Sequence, residues 1–237
     1  GFAFLTGILL AAAAPWAAAL STPAAEVRAA LTLAFWVLAA GQPLAGYVFV
    51  LDGVLICAGD ARYLAIAGVV NLAAYLPLLV AVLLAQMAAA MVTTAVRQTP
   101  TIDEPVYVGT AADYLHEHRV RLNPEHPPLG KLVIAVGVAV ADPHVDTAYR
   151  GDQGAFGRHL LYESGNDPWR LMFWARLPVI VLTLLFGLVV FAFGRELAGS
   201  AAGLAALALY AFSPDVITHG SLATLDVPAA GFVLTSV

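Results

Sequence analysis

Residues 64–96 read LAIAGVVNLAAYLPLLVAVLLAQMAAAMVTTAV, a run of 33 residues that contains no charged side chain. A bilayer core is about 30 Å thick, whereas a helix of this length would reach roughly 50 Å at about 1.5 Å per residue. The run therefore predicts a membrane-spanning helix that is either tilted and overlong or made of two segments that meet within it.

The composition of the whole chain agrees with this interpretation. Apolar residues make up 61% of the 237 residues, charged residues make up only 11%, and the mean hydropathy is +0.84. A soluble domain has about a quarter of its residues charged, so we expect lipid to be the solvent for much of this chain. The net charge of −5 argues against nucleic-acid binding. The single cysteine, Cys57, excludes an internal disulfide and a cysteine-based zinc site.

Further apolar stretches lie on both sides of this run. Because backbone polar groups in lipid need internal partners, we predict an all-α, polytopic transmembrane helical bundle. Residues 41–43, Gly-Gln-Pro, are expected to interrupt the second span, and the turn after it covers residues 59–62. Both chain ends lead us to expect a fragment of a longer protein. The other predicted spans are Phe2–Leu20, Ala29–Ala58, Leu177–Gly194 and Ala201–Ile217, with another starting at Pro228.

Residues 97–176 have a different character. They hold 8 of the 11 basic residues and 10 of the 16 acidic residues, so this stretch cannot lie in hydrocarbon. The short turns carry Arg62 and Arg195, and the positive-inside rule assigns both to the cytoplasmic face. We therefore predict a multi-pass protein of the bacterial plasma membrane, in which 97–176 is one long extracytoplasmic loop containing short helices.

The first part of the chain contains QPL at 42–44, FVLDGVLI at 49–56 and AGDARY at 58–63. This series resembles the late helices of multidrug and toxic compound extrusion transporters, in their DNA-damage-inducible subgroup. The resemblance implies that residues 1–80 are part of such a transporter. Asp52 and Asn71 would mark a cation pathway, although Asp52 could equally be a solvated residue near the cytoplasmic end.

A second series of motifs follows the long apolar run. It resembles the GT-C glycosyltransferases that use a lipid-linked sugar, and among them the bacterial relatives of protein O-mannosyltransferases and aminoarabinose transferases. The resemblance covers residues 81–237 and implies the amino-terminal part of such an enzyme. The run at 64–96 would then join a transporter helix to a transferase helix, in a natural fusion or by an artefactual join. The motifs are TIDEP (101–105), EHPPLGK (125–131), WARLP (174–178), GREL (194–197), SPD (213–215) and TLDVP (224–228).

The second resemblance implies transfer of a mannose-like sugar from a polyprenyl-phosphate carrier to a protein or glycan acceptor. Such a reaction needs a base for the acceptor hydroxyl and cationic or polar groups for the leaving phosphate. In the resembling enzymes the Asp of the Asp-Glu pair is the base, which implies that role for Asp103. The alternatives are a solvated acidic pair at a helix end, and basic residues that snorkel at the membrane surface. The implied substrate-binding residues are Glu104, Glu125, His126, Lys131, Arg170, Arg176 and Asp226.

No cofactor is predicted. His116, Glu117 and His118 do not share a helix face, so we interpret them as a solvated surface rather than a metal site. A divalent ion held by Glu125 and a histidine beyond residue 237 stays open as an alternative. Two other functions also stay open, namely a cation-coupled multidrug exporter based on residues 1–80 and an inactive truncated fusion.

Overall fold

The computed structural model describes residues 2–57 and 61–236, and in these ranges all regular structure is helical. This confirms the predicted all-α fold, with short helices inside the polar loop. Part of the predicted turn at 59–62 and the side chain of Asp52 lie outside the described residues. The ten helices are α1 (Phe2–Ser21), α2 (Ala25–Cys57), α3 (Ala61–Arg97), α4 (Glu104–Glu117), α5 (Pro128–Ala141), α6 (Gln153–Tyr162), α7 (Pro168–Ala198), α8 (Ser200–Ala211), α9 (Pro214–Gly220) and α10 (Asp226–Thr235).

Four helices in the described part of the chain are long and apolar enough to cross a bilayer. They lie in α1, α2, α3 and α7, and the bent pair α8–α9 would make a fifth span if it crosses as one unit. The helix α10 is apolar but has only 10 residues. The chain is therefore a multi-pass membrane protein, as its composition predicts.

The Gly-Gln-Pro segment does not interrupt the second span, so that prediction was wrong. The helix α2 continues from Ala25 to Cys57 with Pro43 inside it. Proline removes one backbone hydrogen bond, and membrane helices tolerate this where a neighbouring helix supports the segment. Here α1 supports it, because Gly7 lies against the carbonyl oxygen of Ala39 and the side chain of Gln42.

The span predicted at 201–217 is not one straight helix, because the chain bends by 62° between α8 and α9. Pro214 occupies the first turn of α9, where its missing N–H costs nothing, and a proline disfavours helix in the residue before it. That residue, Ser213, is extended, and its side chain accepts a hydrogen bond from the N–H of Val216 at 3.4 Å. The Ser-Pro pair therefore ends one helix and starts the next.

The chain divides into two compact units, Gly1–Ala74 and Tyr75–Val237, with the boundary inside the continuous helix α3. In the first unit, α1 and α2 pack against each other through small residues. Ala14 and Ala18 are fully buried, and the indole N–H of Trp36 donates to the carbonyl oxygen of Ala11 at 3.2 Å. Small residues let two membrane helices approach closely where hydrophobic burial gives little driving force.

The second unit contains the polar stretch, in which α4 packs between α5 and α6 and α5 packs on α7. The helix α7 begins at Pro168, nine residues before the predicted span, because Asp167 caps it. The Asp167 carboxylate accepts from the backbone N–H groups of Trp169 and Arg170 at 3.0 and 3.3 Å. The core side chains of this region are Val108, Ala111, Ala112, Ile134, Ala135, Val138, Ala141, Leu160, Leu161, Leu171, Met172, Ala175, Val179 and Ala223.

Two glycines set how closely these helices approach. A Cβ atom at Gly157 of α6 would lie 1.9 Å from the carbonyl oxygen of Pro105, at the start of α4. A Cβ atom at Gly137 of α5 would lie 1.8 Å from the carbonyl oxygen of Trp174 in α7. At both positions the opposing atom is backbone, which cannot rotate away as a side chain can. Each contact therefore requires glycine.

We expect Gly157→Ala to push α6 away from α4 and to destabilise the fold by about 1–3 kcal/mol, as overpacked cores do. Gly154→Ala on the same helix is the matched control, because its Cβ would meet only the Asp152 carboxylate oxygen, at 3.4 Å. Thermal unfolding of the detergent-solubilised protein compares the two variants. Equal melting temperatures would contradict the close helix contact.

The connection between α5 and α6 is held by a histidine. The Nδ1 atom of His159 lies 2.8 Å from a Glu163 carboxylate oxygen, and its Nε2 atom lies 3.1 Å from one of Asp146. The ring also stacks on Tyr149, with centroids 4.0 Å apart. The hydrogen bonds to Glu163 and Asp146 raise the pKa of His159, so the charged imidazole holds the connection against α6.

Because the folded pKa of His159 is raised, its stabilising effect is complete below the unfolded value of about 6.5 and disappears as pH rises through the folded value. We therefore expect the α5–α6 connection to lose protection from hydrogen exchange as pH rises above about 6.5, after correction for intrinsic rates. His159→Gln should abolish this step. Protection that stays constant in the unsubstituted protein would show that the histidine does not control this connection.

Candidate active site

A fully buried ion pair joins α4 to α7. The guanidinium of Arg176 binds the Glu104 carboxylate with two hydrogen bonds, from Nε to Oε1 and from Nη2 to Oε2, each 2.7 Å long. The remaining N–H groups of Arg176 donate to the carbonyl oxygens of Ala95, Gln98 and Thr99 at 2.7, 2.8 and 3.2 Å. All five N–H groups of a guanidinium are thus in use. Arg176 therefore has no donor left for a phosphate.

The Glu104 carboxylate is equally engaged. Its Oε2 atom accepts from the backbone N–H and the hydroxyl of Thr101 at 2.9 and 3.2 Å, and Oε1 accepts from the N–H of Ala223 at 2.8 Å. The ion pair therefore ties together the end of α3, the start of α4, the first half of α7 and the segment before α10. This arrangement makes the pair an anchor of the backbone around it.

Asp103 immediately precedes this anchor and has the opposite environment. Its side chain is exposed, and it makes no hydrogen bond or ion pair with any residue that the structure describes. Its position is nevertheless fixed, because Glu104 is held and the Asp103 carbonyl oxygen accepts from the N–H of Tyr107 at 3.2 Å. Asp103 is therefore a carboxylate on a rigid support that is open to a ligand.

Three predicted acidic residues act electrostatically on the side chain of Tyr107. Burial raises the pKa of the Tyr107 hydroxyl, and the negative charges of Asp103, Asp226 and Glu125 raise it further. These three carboxylates therefore lie within electrostatic range of the phenol. We call this group the acidic cluster.

Two histidines border the acidic cluster. The ring of His126 contacts the ring of Tyr107 edge-on, with centroids 6.0 Å apart. The Nδ1 atom of His219, at the end of α9, lies 3.6 Å from a carboxylate oxygen of Asp226. Both histidines are exposed. The structure therefore brings predicted residues from three separate segments to one surface, together with Tyr107 and His219.

Lys131 stabilises the turn that carries Glu125 and His126. Its amine is fully buried and donates to the carbonyl oxygen and side-chain oxygen of Asn123 and to the carbonyl oxygen of His126, the last at 2.9 Å. Burial lowers the pKa of Lys131. Three acceptors use all three N–H groups of the amine, so Lys131, like Arg176, has no donor left for a phosphate. What Lys131 holds instead is the turn from Asn123 to His126.

Asn123, which accepts hydrogen bonds from Lys131, in turn holds the side chain of Glu125. Asn123 has a φ of 51°, a left-handed conformation that asparagine tolerates better than most residues. Its side-chain amide donates to the Glu125 Oε1 atom at 2.7 Å, and the amide of Gln153 on α6 donates to the same oxygen at 2.6 Å. The hydrogen bond from Gln153 is the largest effect that lowers the pKa of Glu125. Glu125 is therefore an ionised hydrogen-bond acceptor.

Arg170 is the one predicted substrate residue that lies apart from this surface. It borders a small cleft with Ala141 and Asp142 at the carboxyl end of α5. Lys131 lies near the other end of that helix, ten residues away, which corresponds to about 15 Å along its axis. The cleft is also lined by Pro143, Asn166, Asp167 and Leu171.

Four residues of the site were not predicted from the sequence: Tyr107, Asn123, Gln153 and His219. Tyr107 could have been found, because it follows Asp103 by four positions and therefore shares its helix face. Gln153 lies 28 positions from Glu125, and no local pattern links the two. In the described residues no group of three or more His, Cys, Asp or Glu side chains is arranged to hold a metal ion.

We expect Arg176→Met to destabilise the protein by about 3–5 kcal/mol, because it leaves the Glu104 carboxylate buried without its partner. Arg170→Met on the same helix is the matched control, since Arg170 is exposed and its replacement should cost less than about 0.5 kcal/mol. Thermal unfolding measures both. Equal melting temperatures of the two variants would show that the ion pair does not anchor the fold.

Comparison with known proteins assigns part of the chain. A family profile described as dolichyl-phosphate-mannose-protein mannosyltransferase matches residues 80–237. No curated protein and no solved structure matches the chain. The match does not reach residues 1–79, so the transporter resemblance of that region has no support here and stays a prediction, as do the domain boundaries at 80 and 81.

The matched residues include the acidic cluster, the buried ion pair and the turn that Lys131 holds. They also include α7, which is long and apolar enough to cross a bilayer, and the bent pair α8–α9. The match covers well over half of the chain, which therefore belongs to the dolichyl-phosphate-mannose-protein mannosyltransferase family of membrane glycosyltransferases.

Proposed function

We propose that this protein transfers a mannose-like sugar from a polyprenyl-phosphate carrier to a hydroxyl group of a protein or glycan acceptor. The reaction takes place on the extracytoplasmic side of the bacterial plasma membrane. Family membership supports the reaction class. The observation that carries the proposal is Asp103, an exposed carboxylate that lies beside a buried ion pair and among other acidic side chains.

Asp103 is the base in this proposal. Its carboxylate accepts the proton of the acceptor hydroxyl as the hydroxyl oxygen forms a bond to the anomeric carbon of the sugar. The bond between that carbon and the phosphate oxygen breaks, and the phosphate leaves with the bonding electron pair. A base must reach the nucleophile within hydrogen-bond distance, which requires an exposed side chain on a fixed backbone. Asp103 meets both requirements.

Glu104 does not compete for this role. Its carboxylate accepts five hydrogen bonds, from Arg176, Thr101 and Ala223, and is fully buried. We assign Glu104 and Arg176 to positioning Asp103 rather than to contacting substrate. In this proposal Asp103 takes part in the reaction, and the adjacent Glu104 holds the backbone in place.

Glu125, His126 and Asp226 remain the proposed substrate-facing residues. All three are exposed and lie around Tyr107. Lys131 joins Glu104 and Arg176 as a positioning residue, because its three N–H groups already have acceptors. Arg170 takes no part in this proposal, since it lies at the other end of α5.

The proposed side of the membrane depends on Arg195 and on the size of the polar region. Arg195 lies in the last turn of α7, before the short connection to α8, and a basic residue there favours the cytoplasmic face. The helices α4 to α6 precede α7 and so lie across the membrane from Arg195, which makes that region extracytoplasmic. The donor's lipid tail stays in the bilayer while its phosphate reaches this surface.

We expect Asp103→Asn to lower the rate of sugar transfer by about 10²–10⁴-fold, because an amide cannot accept the proton. Asp142→Asn is the matched control: it makes the same chemical change at a left-handed position, φ 49°, which asparagine tolerates. The assay follows transfer from a polyprenyl-phosphate mannose to a hydroxyl-bearing peptide by protein in membranes. Activity of Asp103→Asn equal to that of Asp142→Asn would exclude Asp103 as the base.

A further inference from the structure

Glu125 is held by donors from two different directions. Asn123 reaches its Oε1 atom from the same turn, and Gln153 reaches that atom from the first residue of α6. In the described part of the chain, no side-chain hydrogen bond to Oε2 accompanies these two. The backbone N–H of Glu125 also interacts with its own carboxylate, so donors from the turn and from α6 together restrict the orientation of this group.

The support behind Gln153 is rigid. Asp152 caps α6 by accepting from the N–H of Ala155 at 2.7 Å, which fixes the first turn where Gln153 lies. One turn later, Gly157 lies directly against the backbone of Pro105 in α4. The helix that carries Gln153 is therefore fixed against the helix that follows Asp103. The Gln153 amide cannot drift relative to the proposed base without breaking this contact.

We propose that Gln153 is a positioning residue that turns the Glu125 carboxylate so that Oε2 accepts a hydrogen bond from a hydroxyl group of the transferred sugar. This inference rests on the proposed transferase function. Gln153 acts through Glu125 and does not itself touch the substrate. Hydrogen bonds from hydroxyl groups to an ionised carboxylate are among the strong ones, which makes them effective for recognising a sugar.

The charge of the site favours a hydroxyl group over the phosphate as the partner of Glu125. The Glu125 carboxylate would repel an anionic phosphate placed directly against it, and the negative charges of Asp103 and Asp226 act near the same phenol. Lys131 lies beneath the same turn, but its N–H groups are already in use. A neutral, donor-rich ligand such as a sugar ring matches a surface that presents acceptors.

The experiment compares Gln153→Ala, Glu125→Ala and the double variant, using the full-length protein in lipid nanodiscs with a polyprenyl-phosphate mannose donor. Arg158→Ala, an exposed change on α6, is the matched control. We expect Gln153→Ala to lower kcat/KM about tenfold, and Glu125→Ala to lower it further. The double variant should be no slower than Glu125→Ala, because a residue that acts through Glu125 has no effect once Glu125 is gone.

The pH profile gives a second readout. The hydrogen bond from Gln153 lowers the pKa of Glu125, so Gln153→Ala should move the acidic limb of kcat/KM to higher pH. Gln153→Glu should be slower than Gln153→Ala near neutral pH, since it places a carboxylate against Glu125, and it should recover partly on acidification.

Donor analogues that each lack one sugar hydroxyl complete the test. The unsubstituted protein should transfer one of these analogues slowly. The Glu125→Ala variant should lose no further rate when that analogue replaces the complete donor.

Three results would overturn the inference while the transferase function stands. They are a Gln153→Ala rate within twofold of the Arg158→Ala control, additive losses in the double variant, or an acidic limb that does not move. Failure of the proposed function has a different signature, because the unsubstituted protein would then transfer no sugar from the lipid donor. That result would overturn both proposals.

Discussion

The buried bond between Arg176 and Glu104 is the interaction on which the rest of the second unit depends. Removing two charges from water is expensive, and it is tolerated only where every donor and acceptor finds a partner. Here each N–H of the guanidinium has an acceptor, and the carboxylate accepts five hydrogen bonds. The partners come from four separate stretches of chain. All four stretches must therefore be in place together before the pair is fully hydrogen-bonded.

Charged residues thus divide into two layers. Glu104, Lys131 and Arg176 are fully buried with their hydrogen-bonding capacity used, whereas Asp103, Glu125 and Asp226 are exposed above them. The inner layer fixes the geometry of the backbone, and the proposed mechanism assigns its chemistry to the outer layer. Residues that look equivalent in the sequence, such as the adjacent Asp103 and Glu104, therefore differ completely in what they can do.

Much of this architecture follows from local patterns. Apolar runs and a charge-rich stretch predict the membrane helices and the polar region, and short motifs implied most of the residues that meet at the site. Details set by tertiary packing do not follow. The continuation of α2 through Pro43 depends on support from Gly7. The engagement of Lys131 depends on a turn that only the folded backbone defines. Motif order can list the site residues but cannot sort them into buried and exposed ones.

The contacts of Arg176 with the carbonyl oxygens of Ala95, Gln98 and Thr99 have a consequence for α3. The last carbonyl groups of a helix lack intrahelical partners and carry the negative end of its dipole, so they usually need water. A guanidinium supplies both the donors and the opposite charge. Arg176 therefore binds the carbonyl group of Ala95 in the last turn of α3 and those of the two residues after it, Gln98 and Thr99. Asp103, six residues after Arg97, therefore follows a helix end that is held in place by the same guanidinium that binds its neighbour Glu104.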